Sequence, residues 1–148
     1  MGTSSYFFDM LTKSQEKILV ESIQKAELNT SGEIKVHIEA TCEMNPIERA
    51  KVVFDHLGLQ KTEKKNAVLI YWAHQSRKFA IIGDSGINHV VPANFWDSTK
   101  EIMRAFFQKD QFVEGIAAAV TEAGQQLKTF FPYESNDINE ISDDISIG

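Results

Sequence analysis

Four oxygen-bearing side chains, Glu33, Asp84, Asn88 and Asp97, offer this sequence its main chemistry. Carboxylate and amide oxygens are the ligands that hard divalent cations prefer, and Ca²⁺ accepts irregular loops whose carbonyls and waters complete the shell. Lys65, with Lys64 before it, supplies ammonium groups for an anion, and the Gly83-Asp84-Ser85-Gly86 loop adds backbone amides beside the Ser85 hydroxyl. A cation and an anion held together permit metal-assisted hydrolysis of a phosphoester, because the ion polarises the phosphoryl oxygen and acidifies a bound water. Each residue also has a plainer account. Glu33 suits a solvated strand end, Asp84 a tight turn, and Asp97 the first turn of a helix, where the dipole favours an acid.

The other reactive residue types are less promising. His37, His56, His74 and His89 show no pair at metal-ligand spacing, and the single cysteine, Cys42, has no partner for a disulfide or a zinc site. Phe95, Trp96, Phe106 and Phe107 fall at core positions of a helix, with Trp96 placed to flank a ligand. Asp110 and Glu114 are acids at a helix start and need no ion to explain them.

These residues depend on a regular alternation of elements. Thr12 and Gln15 form a capping-box pattern ahead of Ile18, Leu19, Ile23 and Ala26, which predicts a helix over about 12–29. At Glu33 the period changes to two: Ile34, Val36 and Ile38 alternate with Glu33, Lys35, His37 and Glu39, the pattern of an edge or partly uncovered strand. Asn45-Pro46 opens a second helix that Gly58 ends, and residues 59–66 read as a polar loop. Ala67–Ala73 is a doubly buried strand that forms a hairpin with Phe79–Ile82, and two further helices follow up to Pro132.

The expected fold is α/β: a three-layer α/β/α sandwich whose small mixed sheet joins a right-handed parallel crossover to an antiparallel hairpin strand. Such a crossover brings Glu33, the Lys64-Lys65-Asn66 loop and the Asp84 loop to one rim of the sheet. Residues 1–133 form the single domain of this reading. Residues 134–148 hold five acids and no Lys or Arg, and read as a disordered acidic tail.

The 148 residues suffice for one core but not for two full-sized domains. The formal charge is −6 and basic residues are dispersed, which argues against a nucleic-acid partner. No apolar run reaches the roughly 20 residues of a transmembrane helix, and no signal-peptide pattern opens the chain, so the expected location is cytoplasmic.

Several strings in order resemble the TPM domain, also called the TPM phosphatase domain. They are Leu11-Thr12; Thr30-Ser31-Gly32-Glu33-Ile34-Lys35-Val36; Asn66-Ala67-Val68-Leu69-Ile70; Gly83-Asp84-Ser85-Gly86-Ile87; and Asp110-Gln111-Phe112-Val113-Glu114-Gly115-Ile116. The resemblance spans about residues 8–132 and implies the same sandwich, divalent-cation binding in some members and acid phosphatase activity in some plant members. The family commonly has Gly where Ala67 stands, an acid where Asn88 stands and an Asp near Ala93. With the rim, it implies Ca²⁺ or Mg²⁺ held by Asp84, Asn88, Glu33 and Asp97, with Glu33 and Asp84 as catalytic residues and Lys65 and Ser85 on the substrate. The substrate class is then a phosphorylated small molecule or protein. The rival expectation is a non-catalytic, metal-stabilised accessory module for membrane or stress-related assemblies.

Overall fold

A computed structural model describes residues 11–134 and 139–148. Helix α1 (Lys13–Glu27) starts at the expected box: the Gln15 amide donates to Thr12 Oγ1 at 3.2 Å, and the Thr12 amide to Gln15 Oε1 at 2.8 Å. Strand β1 (Glu33–Glu39) follows, then α2 (Pro46–His56), capped by Asn45, and a 3₁₀ turn at Leu59–Lys61. Gly58 ends α2 in the left-handed region, φ 71°, where the lack of a Cβ removes the steric cost. The hairpin is β2 (Ala67–Ala73) and β3 (Lys78–Gly83); a single helical turn, α3 (Ser85–Asn88), leads to α4 (Asp97–Phe107) and α5 (Phe112–Leu127). No helix among the described residues is long and apolar enough to cross a membrane.

The sheet has the order β3-β2-β1-β4, where β4 is Ser146–Ile147. β1 pairs in parallel with β2 from Glu33↔Ala67 to Glu39↔Ala73, and β2 is antiparallel to β3 from Val68↔Gly83 to Ala73↔Lys78. This is the expected α/β sandwich. Strand alternation then divides the interior in two. Ile34, Val36, Val68 and Ile70 face a core shared with Leu19, Ile23, Ile116 and Ala119, so α1 and α5 cover that face. Leu69, Tyr71 and Ala80 face Ala50, Val53 and Phe54 of α2 on the other.

Two expectations fail, for one reason. β1 is an interior strand, and its polar residues Glu33, Lys35, His37 and Glu39 are only 4–7% exposed. The described part of the acidic tail is ordered and covers them, whereas residues 1–10 and 135–138 lie outside the described residues. Ser146 and Ile147 lie in register with His37 and Ile38, and Lys35 Nζ donates to the Ser142 carbonyl at 3.2 Å and Oγ at 3.1 Å. Ile145 is buried in the larger core and Ile141 packs against the smaller one. The period-two alternation of β1 therefore marks a face recognised by chain rather than by water.

Candidate functional site

The rim forms as the crossover requires. The Glu33 amide donates to the Asn66 carbonyl at 3.2 Å, the Asp84 amide to the Ala67 carbonyl at 2.9 Å and the Gly86 amide to the Lys65 carbonyl at 2.8 Å. Gly86 is essential to this approach. A Cβ there would stand 2.5 Å from the Lys65 carbonyl oxygen, and closer still to that of Lys64. Backbone cannot yield to it as a side-chain tip can.

The rim holds two separate hollows. Asp84, Ser85 and Asn88 line a cleft of about 560 Å³ whose other walls include Gln60, Trp96 and Lys100. Asp84 caps α3 by accepting the Ser85 amide on Oδ1 at 2.7 Å, while its buried Oδ2 meets no partner. Asn88 Nδ2 donates to the Gly83 carbonyl at 3.0 Å, which commits the nitrogen and leaves the oxygen for a ligand. Gln60 Oε1 and Trp96 Nε1 are likewise buried without a hydrogen-bond partner, and Trp96 is only 8% exposed. Lys65 hydrogen-bonds the Gln60 carbonyl, so it buttresses this wall. Native interiors rarely leave such groups unmet, at a cost of about 1–3 kcal/mol each. Asp84, Gln60 and Trp96 thus reach the walls of one cleft from three separate segments, each with one polar atom buried behind its surface.

Glu33 lines the second hollow, with Glu27, Asn139 and Asp143. Its Oε1 accepts the Ile141 amide at 2.7 Å, and burial, with Glu140 and Asp143 nearby, raises its pKa to about 7. Glu27 accepts the Ile34 amide at 2.9 Å. Burial, then its hydrogen bond with Asp143, push the Glu27 pKa up to about 9. The structure thus gathers Asp84, Ser85 and Asn88, puts Lys65 behind them, and sends Glu33 to a different hollow. Asp97 is exposed in the first turn of α4, outside the residues lining the cleft. Among the described residues, no three His, Cys, Asp or Glu side chains come together to hold a metal.

The sequence pattern reads residues 59–66 as a polar loop and sets Trp96 beside a ligand, whereas the structure places Gln60 as well as Trp96 in the cleft wall. The missed signal was the apolar Leu59 before Gln60, buried in the smaller core, which pins that loop to the sheet.

A third constellation lies at the opposite end of β1. Buried Glu39 accepts Arg49 Nε at 2.8 Å and NH2 at 2.9 Å, His37 Nε2 at 3.0 Å, and the Tyr71 hydroxyl. Burial alone would raise the Glu39 pKa, but the bonds from Arg49, Tyr71 and His37 outweigh it and hold the pKa at about 2. Burial lowers that of His37, whose Nδ1 is 2.8 Å from Ser146 Oγ. Every group here has a partner.

The TPM domain matches residues 7–126, and the chain belongs to that family. Among solved structures, it is similar to the BA42 protein of the psychrophilic bacterium Bizionia argentinensis. The identity is 42%, the TM-score 0.88, and the match covers 93% of this chain and 94% of that one. The N-terminal domain of a P. gingivalis protein (15% identity, TM-score 0.66, 85% and 83% coverage) shares the fold. So does that of the cg2496 protein of Corynebacterium glutamicum (11%, 0.63, 86% and 79%). No curated protein matches the chain.

Proposed function

We propose that this TPM-domain protein binds a phosphomonoester in the Asp84 cleft together with a divalent cation, and hydrolyses it. The observation that supports the reading is the lining of one cleft, where Asp84, Ser85 and Asn88 stand with two lysines, Lys51 and Lys100. One carboxylate and one amide oxygen are too few for a Ca²⁺ cage of six to eight ligands. They suit Mg²⁺, which keeps several waters and shares its remaining ligands with substrate phosphate. Bound there, the cation would polarise the phosphoryl oxygen and acidify a water. The Asp84 carboxylate and the Asn88 side-chain oxygen would hold the cation, the two ammonium groups would neutralise phosphoryl charge, and the Ser85 hydroxyl would donate to a phosphoryl oxygen. Glu33, in the other hollow, takes no part.

The test is turnover of p-nitrophenyl phosphate with MgCl₂ by wild type and Asp84→Asn, beside NMR titration of the Ser85 amide. The expected result is a Ser85 shift that needs cation and phosphate together, and a loss of roughly 100-fold or more in turnover for the variant. Unchanged turnover in Asp84→Asn overturns the catalytic assignment. A Ser85 shift with no turnover in wild type assigns the domain instead to a metal-stabilised accessory module.

A further inference from the structure

Strand β1 reads the segment lying on it residue by residue. The Glu33 carboxylate accepts the Ile141 amide, Lys35 Nζ donates to the carbonyl and hydroxyl of Ser142, and His37 Nδ1 meets Ser146 Oγ. The Gly148 amide donates to the Ile38 carbonyl at 2.9 Å, and Ile145 is buried in the larger core. A sheet edge binds an extended peptide in this manner: backbone bonds give affinity and alternate side chains give specificity. The present occupant uses that edge incompletely. Among the described residues it pairs with His37 and Ile38, two of the seven residues of β1, while the Ile34 amide is held by the Glu27 side chain. It also brings charge of the wrong sign to one position. Asp143 lines the hollow of Glu27 and Glu33, where it accepts Asn139 Nδ2 at 3.2 Å. Burial raises the pKa of both glutamates, and Asp143 raises each further. Lys35 does not depend on Asp143, because Asp144 is the strongest of the acids acting on it.

We propose that β1 is an acceptor for an extended segment of a partner protein, one that keeps the Ile and Ser pattern of residues 139–148 and carries Lys or Arg where Asp143 stands. Residues 139–148 hold that place in cis until such a segment displaces them. β1 lies within the residues that match the TPM domain and its occupant lies beyond them, so the acceptor belongs to the domain. A basic side chain at the Asp143 position meets Glu27 and Glu33 and turns a like-charge crowd into a complementary one. The Asn139 side-chain oxygen or its equivalent is free to accept from the same ammonium or guanidinium. A partner that also pairs along Glu33–Val36 gains backbone bonds that the tail does not make with β1.

The experiment titrates the full ¹⁵N-labelled chain at neutral pH with two unlabelled peptides, one with the sequence of residues 139–148 and the other the same but carrying Asp143→Lys. The reporters are the Ser146 and Gly148 amides, which move to the shifts of an unstructured chain when the tail is displaced, and the Ile38 amide of β1. A tail tethered by a short connection competes at a roughly millimolar effective concentration, so the titration runs through that range. The Lys peptide should free the tail at about one tenth of the concentration that the unaltered peptide needs. In the full chain, Asp143→Lys should seat the tail more firmly and slow hydrogen exchange at the Gly148 amide about tenfold. Equal or weaker action of the Lys peptide overturns the proposal, and so does unchanged or faster exchange in the variant. Failure of both peptides to free the tail in the millimolar range overturns it as well. If the unaltered chain forms dimers in light scattering and these dissociate when the tail-sequence peptide is added, the acceptor serves a second copy of the chain and the basic partner is ruled out.

Discussion

The two ends of the sheet are built on opposite principles. At the Glu39 end a buried carboxylate receives Arg49, His37 and Tyr71, and each donor is placed for it. At the Asp84 end Asp84, Gln60 and Trp96 line an open cleft, and each has one polar atom buried in its wall without a partner. The satisfied end is richer in charge and would attract a search for catalytic residues, yet its bonds are already made. The contrast teaches that a dense set of ionisable groups can be a structural tie, since Arg49, His37 and Tyr71 are all spent on one carboxylate.

The largest expected effect is at the satisfied end. Glu39→Ala leaves Arg49, His37 and Tyr71 facing a void, and should cost about 3 kcal/mol in urea unfolding, with no specific loss at the Asp84 cleft. Gly86→Ala tests how the open end is held: its Cβ collides with the carbonyls of Lys64 and Lys65 and should cost about 2 kcal/mol. The same variant should shift the Ser85 and Asn88 amide resonances, whereas Glu39→Ala should not.

A smaller effect is set by pH at the second hollow. Glu27 and Glu33 have folded pKa values raised to about 9 and about 7 from 4.5, so the folded state holds more protons than the unfolded one. Their contribution to stability is fully present below pH 4.5 and is lost as pH rises through 7 and then 9. Urea midpoints should therefore fall between pH 5 and pH 9, and Glu27→Gln should flatten the slope. Glu39 works in the other direction, stabilising above pH 4.5 and losing that contribution as pH falls toward its folded pKa of about 2. The smallest change in stability belongs to Asp84→Asn, within about 0.5 kcal/mol, since the cap to Ser85 survives and an unpaired oxygen is replaced. Its binding should nevertheless be lost. A large destabilisation by this variant would erase the contrast between the two ends.

Local rules made most of the architecture readable in the chain. The Thr12–Gln15 box, the Asn45-Pro46 start, the apolar run at Ala67–Ala73 and the handedness of the crossover all act over short range or through general geometry. They sufficed to bring Asp84, the Lys65 loop and Glu33 to one rim. What they could not supply was the direction in which each side chain turns within the rim. Glu33 is drawn toward the Ile141 amide, a contact 108 residues away in the chain, and with it the expected four-residue cation set divides. The tail gives no periodic signal for a related reason. Its isoleucines have no period of their own, because each packs into a different place on a surface already formed.

The short strand Ser146–Ile147 has a consequence for handling the protein. It occupies the hydrogen-bonding margin of β1, whose backbone would otherwise stand ready to recruit a foreign strand. Shortening the chain before residue 139 to remove a segment that looks dispensable would bare a tacky ladder of amides and carbonyls. Such a fragment should self-associate in solution at concentrations where the intact chain stays dispersed.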